Sequence, residues 1–272
     1  MKIKHPLSSG LTDEFTDSVT KLLGLSKDDS DDEFAKRLWD KARLVDTTLF
    51  RAHMFATPSL AGSLFRIANF CDPDVVVEKL KETARYNDLI EFLYGKRLHR
   101  QALEILQKFG QADDGDEKIP PQLHGPKRIV GYLQHLPLDK IDLILEFAEW
   151  PVRTDPELGM NIFLADTENS ETLPRLPVLE FLEGIDSDLA IQYLEHVIDE
   201  LNDLTPDLHQ RLLFLYLQRL QKYKSMVATD EESDEWWRKF VGMLRSSSQY
   251  SPAKMLDRLD RDGEDDFIII IS

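Results

Sequence analysis

Few side chains in this 272-residue sequence stand at spacings that could do chemistry. His196 and Glu200 lie one helical turn apart and are the nearest approach to a metal face. Two ligands fall short of a four-coordinate site, so a solvated polar face is expected there. Gly95-Lys96 lacks the preceding glycine and the following Ser or Thr of a phosphate loop. There is no Gly-x-Ser-x-Gly elbow, no His-Glu-x-x-His and no dinucleotide fingerprint. With 50 acidic residues, carboxylate pairs at helical spacing carry no information about acid–base catalysis. The expectation is therefore no catalytic residue, no metal ligand and no cofactor. Ser30-Asp-Asp-Glu33 fits an acidophilic kinase site, but also a capping box ahead of Phe34, and an amphipathic run begins at once.

Two surface features remain. Lys96, Arg97, His99 and Arg100 cluster in an otherwise acidic chain. The simpler reading is that these cations offset a helix dipole and keep a turn solvated. The functional reading makes Lys96, Arg97 and Arg100 a docking point for an acidic partner. Trp236 and Trp237 are adjacent, so in a helix they point about 100° apart and one is expected to be half-buried at an interface.

The basic cluster is positioned by the stretch from Tyr86 to Phe109. Leu89, Ile90, Leu93 and Tyr94 mark one apolar face, and Leu98, Ala102, Leu103, Ile105, Leu106 and Phe109 a second. The pattern predicts an antiparallel helical hairpin with Gly95 as the left-handed stop and Ala102 at a close approach. Val178-Leu-Glu-Phe-Leu-Glu-Gly184 repeats Leu89-Ile-Glu-Phe-Leu-Tyr-Gly95, followed by Ala190 and Leu194 where the first copy has Ala102 and Leu106. Leu93, Ala102, Leu106, Phe181, Ala190 and Leu194 are the expected core. Helical repeats of roughly 40 residues build solenoids, so the fold expected is all-α, an α-solenoid of antiparallel hairpins of clathrin or TPR type.

Proline punctuates the rest. Thr57-Pro58, Asp72-Pro73, Asp155-Pro156, Thr205-Pro206 and Ser251-Pro252 each pair a capping side chain with proline at the first helical position. Ala35 to Phe55 is expected to be helical, with a break near Asp46-Thr47-Thr48 and a buried stripe of Phe34, Leu38, Ala42, Val45 and Leu49, widened by Trp39 and Leu44. Leu60, Leu64 and Ile67 form another expected stripe. Leu208 to Tyr223 is apolar on most faces and should be sandwiched. Loops are expected at Gln111 to Gly125 and Met226 to Ser233. A short helix from Thr12 to Leu23, with Leu11, Phe15, Val19, Leu22 and Leu23 on one face, precedes an acidic linker. The expected organisation is residues 1–33 as this short helix and linker, 34–259 as one solenoid segment, and 260–272 as an acidic and apolar tail, with Phe267 to Ile271 the only strand-like run.

Thirty-three basic against 50 acidic residues give a formal charge of −17, which disfavours nucleic acid and anionic lipid as partners. No apolar run approaches the roughly 20 residues needed to cross a bilayer. The opening residues lack an apolar h-region, so a secretory signal is not expected. Cys71 is the only cysteine and fits a reducing, cytosolic environment.

Val45-Asp-Thr-Thr-Leu-Phe, the Leu89 to Leu103 run, Tyr132-Leu-Gln-His-Leu and Tyr193-Leu-Glu-His-Val-Ile resemble the vacuolar protein sorting thirty-nine family, also called Vam six. The match runs from about residue 35 to residue 256 and fails at both ends. The resemblance implies a subunit of HOPS, the tethering complex of late endosome and vacuole or lysosome fusion, and the middle of its α-solenoid without the family's β-propeller. It implies a cytoplasmic protein held peripherally at those membranes. It further implies protein partners: other HOPS subunits, a Rab GTPase through regions absent from this chain, and the mitochondrial outer-membrane import pore at vacuole–mitochondria contacts. Three functions are open: a non-catalytic scaffold, an exchange factor for a small GTPase, and a structural spacer with no partner of its own.

Overall fold

Every helix that the sequence punctuates with proline begins at that proline. In the computed structural model, which describes Lys21 and residues 31–112, 119–225 and 230–262, helices start at Pro58, Pro73, Pro156, Pro206 and Pro252. Asp72 and Asp155 accept the expected capping bonds, from the amides of Asp74 and Leu158 at 3.0 Å each. Ser251 accepts a longer one from Lys254 at 3.4 Å. Thr57 and Thr205 do not cap. The Thr57 hydroxyl sits 3.2 Å from His53 Nδ1, and that of Thr205 donates to Asp203 at 2.6 Å.

The described residues contain α-helices, short 3-10 turns and one π turn, with no strand. By contacts the chain divides into two units, residues 1–105 and 106–272. The first holds α1 (Asp31–Ala56), α2 (Pro58–Phe65), α3 (Pro73–Glu82) and α4 (Tyr86–Gly95), and the division falls within α5 (His99–Gly110). α2 packs on α1 and on α4, joined by a run of rings: Phe50 to Phe65 at 5.8 Å and Phe65 to Phe92 at 4.9 Å. Tilted aromatic pairs at these separations add to the burial of their area.

The second unit holds α6 (Lys127–Leu133), α7 (Ile141–Thr154), α8 (Pro156–Leu164), α9 (Glu168–Glu171), α10 (Arg175–Ile185), α11 (Ser187–Glu195, continued by a π turn over His196–Glu200), α12 (Pro206–Ser225), α13 (Asp230–Ser246) and α14 (Pro252–Asp262). Hairpin partners α7–α8, α10–α11 and α12–α13 pack together, and α8 meets α6 and α11. Each hairpin thus buries its free face against its neighbour, the packing of an α-solenoid. α12 is sandwiched between α11 and α13, as its apolar composition requires.

The aligned repeat positions share one burial pattern. Leu93, Ala102, Ala190 and Leu194 are fully buried and Leu106 is nearly so. Phe181 is the exception. It is only half-buried against Phe163 at 5.8 Å, and Leu182 fills the place aligned with Leu93.

Other expectations are corrected. Gly95 is not left-handed; the left-handed residue is Arg97, at φ 58°. Leu98 N–H donates to Leu93 O and Arg97 N–H to Tyr94 O, both at 2.9 Å, which makes a Schellman end two residues beyond the glycine. α1 does not break at Asp46-Thr47-Thr48, because Thr48 Oγ1 bonds back to Leu44 O at 2.7 Å within an unbroken helix. Its stripe is not buried either. Val45 is 59 % exposed and Leu49 44 %, Trp39 and Leu44 are also exposed, and Phe50 points into the core instead. Leu64 is buried but Leu60 and Ile67 are exposed, since α2 ends at Phe65 and Ile67 has left its helical phase. The loop expected to reach Ser233 ends earlier, at the start of α13 at Asp230, and α14 extends to Asp262, inside the expected tail. The Thr12 to Leu23 helix (Lys21 apart), the Ser30 cap and the Phe267 to Ile271 run lie outside the described residues.

Two glycines of the second unit make opposite predictions. A Cβ on Gly159 would stand 2.6 Å from Val152 N and Cα, backbone atoms that cannot swing aside. A Cβ on Gly184, inside α10, would meet nothing within 4 Å. Gly159→Ala should destabilise by about 1–3 kcal/mol through overpacking. Gly184→Ala should stabilise by about 0.5–1 kcal/mol by reducing unfolded-chain entropy. Urea unfolding of both variants checks the contrast in sign.

Candidate functional site

The polar side chains that the sequence singles out are largely spent on holding helices together. Asp46 and Thr47 project from α1 toward the turn that joins α2 to α3. Asp46 Oδ2 accepts Phe70 N–H at 2.7 Å and Thr47 Oγ1 accepts Asp72 N–H at 2.9 Å. Cys71 Sγ contacts Asp46 O at 3.4 Å, and Arg43 Nε donates to Asp72 Oδ2 at 3.0 Å. The Arg43 bond holds the Asp72 carboxyl below its ordinary pKa. Burial, with Asp46 nearby, pushes the Cys71 thiol up to about 11, so the thiolate that would react is suppressed.

The basic cluster is divided by this arrangement. Lys96 turns inward, donates to the Asn69 carbonyl and lies 5.6 Å from the centre of the Phe92 ring. Burial lowers its pKa, against the opposing influence of Cys71 and Asp46. His99 is buried, with the Tyr94 ring at 5.3 Å. Arg97 and Arg100 are exposed. Lys96 is thus a support of the 69–72 turn, where the sequence alone made it a member of an exposed charge patch.

The two tryptophans of α13 are both half-buried. Trp236 lies under two cations, Lys239 Nζ at 5.0 Å and Arg219 at 5.6 Å from its ring centre, and 5.9 Å from Tyr216. Glu195 binds the same group of residues, accepting from Tyr216 Oη at 2.7 Å and Lys239 Nζ at 2.8 Å, while Arg219 pairs with Asp188 at 2.7 Å. Burial raises the Tyr216 pKa, so its hydroxyl stays neutral and donates. Trp236 therefore ties α13 to α12 through its cation–π contact with Arg219, while Glu195 and Asp188 join α11 to both. Trp237 rests on Phe240 at 6.1 Å.

His196 Nδ1 lies 3.1 Å from Glu200 Oε2 within the π turn. Among the described residues no group of three or more His, Cys, Asp or Glu could hold a metal ion, and no helix is long and apolar enough to cross a membrane. Sequence reasoning missed an open groove of about 470 Å³ between α1 and α3, with Met54, Phe55 and Val75 as its apolar part and Arg51, Glu78 and Lys79 at its edge. It also missed the exposed edge-on pair Trp39 and Phe70, 4.6 Å apart. No periodicity signals either, since both bring together segments separated in the sequence.

The inward turn of Lys96 changes what charge reversal should do. Lys96→Glu would set a carboxylate beside Asp46 and the Asn69 carbonyl, and should cost about 1–3 kcal/mol. Arg97→Glu and Arg100→Glu should each change stability by under about 1 kcal/mol. Reversing all three together is thus expected to weaken the fold, contrary to the expectation from an exposed turn. Thermal melts of the three single variants separate these roles.

Comparison with known proteins gives a family. Residues 45–152 match the sequence profile of vacuolar sorting protein 39 domain 1, which opens at Val45, beside Asp46 and Thr47. The chain is 34 % identical over 217 residues to the vacuolar protein sorting-associated protein 39 homolog of Drosophila melanogaster, covering 79 % of this chain and 24 % of that protein. It is 32 % identical over 236 residues to the mouse Vam6/Vps39-like protein, covering 81 % and 26 %. It is 30 % identical over 237 residues to vacuolar morphogenesis protein 6 of Schizosaccharomyces pombe, covering 84 % and 26 %. The chain thus spans about a quarter of the length of the curated relatives it matches. No solved structure matches it significantly. The profile match, the relatives in animals and yeasts and the all-helical repeat agree: this chain belongs to the vacuolar sorting protein 39, or Vam6/Vps39, family.

Proposed function

We propose that this chain is a non-catalytic scaffold segment of a HOPS-type tethering subunit, acting in late endosome to vacuole or lysosome fusion and at vacuole–mitochondria contacts. The observation that carries the reading is how the polar residues are used. Asp46, Thr47 and Lys96 bind backbone within their own unit, and Glu195 satisfies Tyr216 and Lys239, while the large apolar side chains Phe55, Leu60, Ile67 and the Trp39–Phe70 pair stay exposed. Such a surface suits protein partners. The names of the relatives, in vacuolar sorting and vacuolar morphogenesis, support the same setting.

The proposed partners are other HOPS subunits, a Rab GTPase through regions outside this chain and the mitochondrial import pore. The proposed location is the cytoplasmic face of vacuole, late endosome and lysosome membranes. Arg97 and Arg100, with Trp237, are the proposed contact residues; Lys96 and Trp236 would act indirectly, by holding the elements that present them. Residues 34–259 are proposed to act as one solenoid segment.

Two measurements with the purified chain test the reading. Guanine-nucleotide release from a late-endosomal Rab should be unchanged on its addition; a faster release would make it an exchange factor. The remaining HOPS subunits, reconstituted without this segment, should be retained by the immobilised chain, and the Arg97→Glu, Arg100→Glu variant should bind more weakly with less salt dependence. No retention would reduce the segment to a spacer.

A further inference from the structure

Serine or threonine precedes proline at three places in the sequence: Thr57-Pro58, Thr205-Pro206 and Ser251-Pro252. Each pair opens a helix, where the dipole favours negative charge. Their surroundings differ. The Thr205 hydroxyl donates to Asp203 at 2.6 Å and Asp207 stands two residues on, so a phosphate there would meet carboxylates. Thr57 is followed by Pro-Ser-Leu-Ala, without a cation. Ser251 is followed by Pro-Ala-Lys, and a lysine two residues beyond the proline is what cation-selecting proline-directed kinases read.

The structure adds an independent observation at Ser251. Gln210 on α12 is 6 % exposed, and its Oε1 accepts Ser251 N–H at 2.9 Å. An N–H cannot accept, so the carboxamide is fixed in this orientation. Among the described residues its Nε2 has no acceptor, although it is buried beside the serine. Lys254 N–H reaches Ser251 Oγ only at 3.4 Å, longer than an ordinary bond. Two donors at this corner are thus poorly served by a hydroxyl.

We propose that Ser251 is a phosphorylation site for a proline-directed kinase, and that its phosphate closes the start of α14 onto Gln210 of α12. The kinase transfers the γ-phosphoryl group of ATP to Ser251 Oγ. The bond from the γ-phosphorus to the β–γ bridging oxygen breaks, ADP leaves, and the hydroxyl proton passes to the kinase's catalytic carboxylate. The modified serine carries about −1.5 to −2 charge at neutral pH, at a helix N-terminus and one turn from Lys254. Its oxygens accept from Gln210 Nε2 and Lys254 N–H. Ser251 is half-buried, but residues 247–251 lie outside any helix, and Pro252, Ala253 and Lys254 are exposed to an approaching kinase. The proposal goes beyond the scaffold reading and does not rest on it.

The test uses the full chain, a cyclin-dependent kinase and magnesium ATP, with the phosphate located by peptide mass spectrometry. One phosphate is expected at Ser251, with little at Thr57 or Thr205, and none at that position in Ser251→Ala. Labelling of Thr57 or Thr205 in place of Ser251, or no incorporation, would overturn the proposal. A second readout is the melting temperature of the phosphorylated chain. Phosphorylation should raise it by a few degrees in the natural sequence. In Gln210→Glu it should lower it, because that variant keeps an acceptor for Ser251 N–H but sets a carboxylate oxygen where Nε2 stood. The same shift in both proteins would mean that Gln210 does not hold the phosphate, and would overturn the proposal too.

Discussion

A helical hairpin repeat must satisfy the backbone groups of its turns as well as bury its faces, and in the first unit the turn from Asn69 to Asp72 shows how. Its amides are taken by Asn69, Asp46 and Thr47, and its first carbonyl by Lys96. These side chains come from α1, from the turn itself and from the end of α4. The turn is thus held by α1 on one side and by the end of α4 on the other. Asp72 extends the constraint by capping α3 while pairing with Arg43.

The second unit meets the same requirement with buried polar residues on α12. His209 Nε2 lies 2.8 Å from Asp203 O and Nδ1 2.7 Å from Ser247 Oγ. A carbonyl only accepts, so in the neutral ring Nε2 carries the proton and Nδ1 accepts from the serine. Gln210 Oε1 accepts Ser251 N–H at 2.9 Å. Adjacent residues of α12 thus secure the turns on either side of the α12–α13 hairpin. Glu195, Tyr216, Lys239 and Trp236 do equivalent work along the helix faces. Among the described residues these polar side chains hold turns and helix faces together, while large apolar side chains such as Phe55 and Ile67 stay exposed among many charged ones.

This use of polar groups bears on function. Four groups with displaced pKa values, Lys96, Cys71, Asp72 and Tyr216, each have a structural partner. The groove between α1 and α3 brings Met54 and Val75 together under mixed charges, a lining suited to an apolar side chain of another protein.

The sequence by itself determined the helices, the proline starts, the hairpin pattern and the family. These follow from local rules: proline's fixed φ, and periodicity that reports which residues share a face. It determined the buried positions Leu93, Ala102, Ala190 and Leu194 for the same reason. Only the tertiary structure decided where side chains that straddle two roles go. Lys96 reads as a solvated turn charge until the Asn69 carbonyl appears within its reach. Arg97, not Gly95, takes the left-handed position, because the Schellman bonds to Leu93 and Tyr94 set the stop two residues later. Val45 and Leu49 have the right phase for burial and remain exposed. Periodicity tells which face of a helix is apolar, but burial requires a neighbour on that face, and a neighbour is a property of the packed chain.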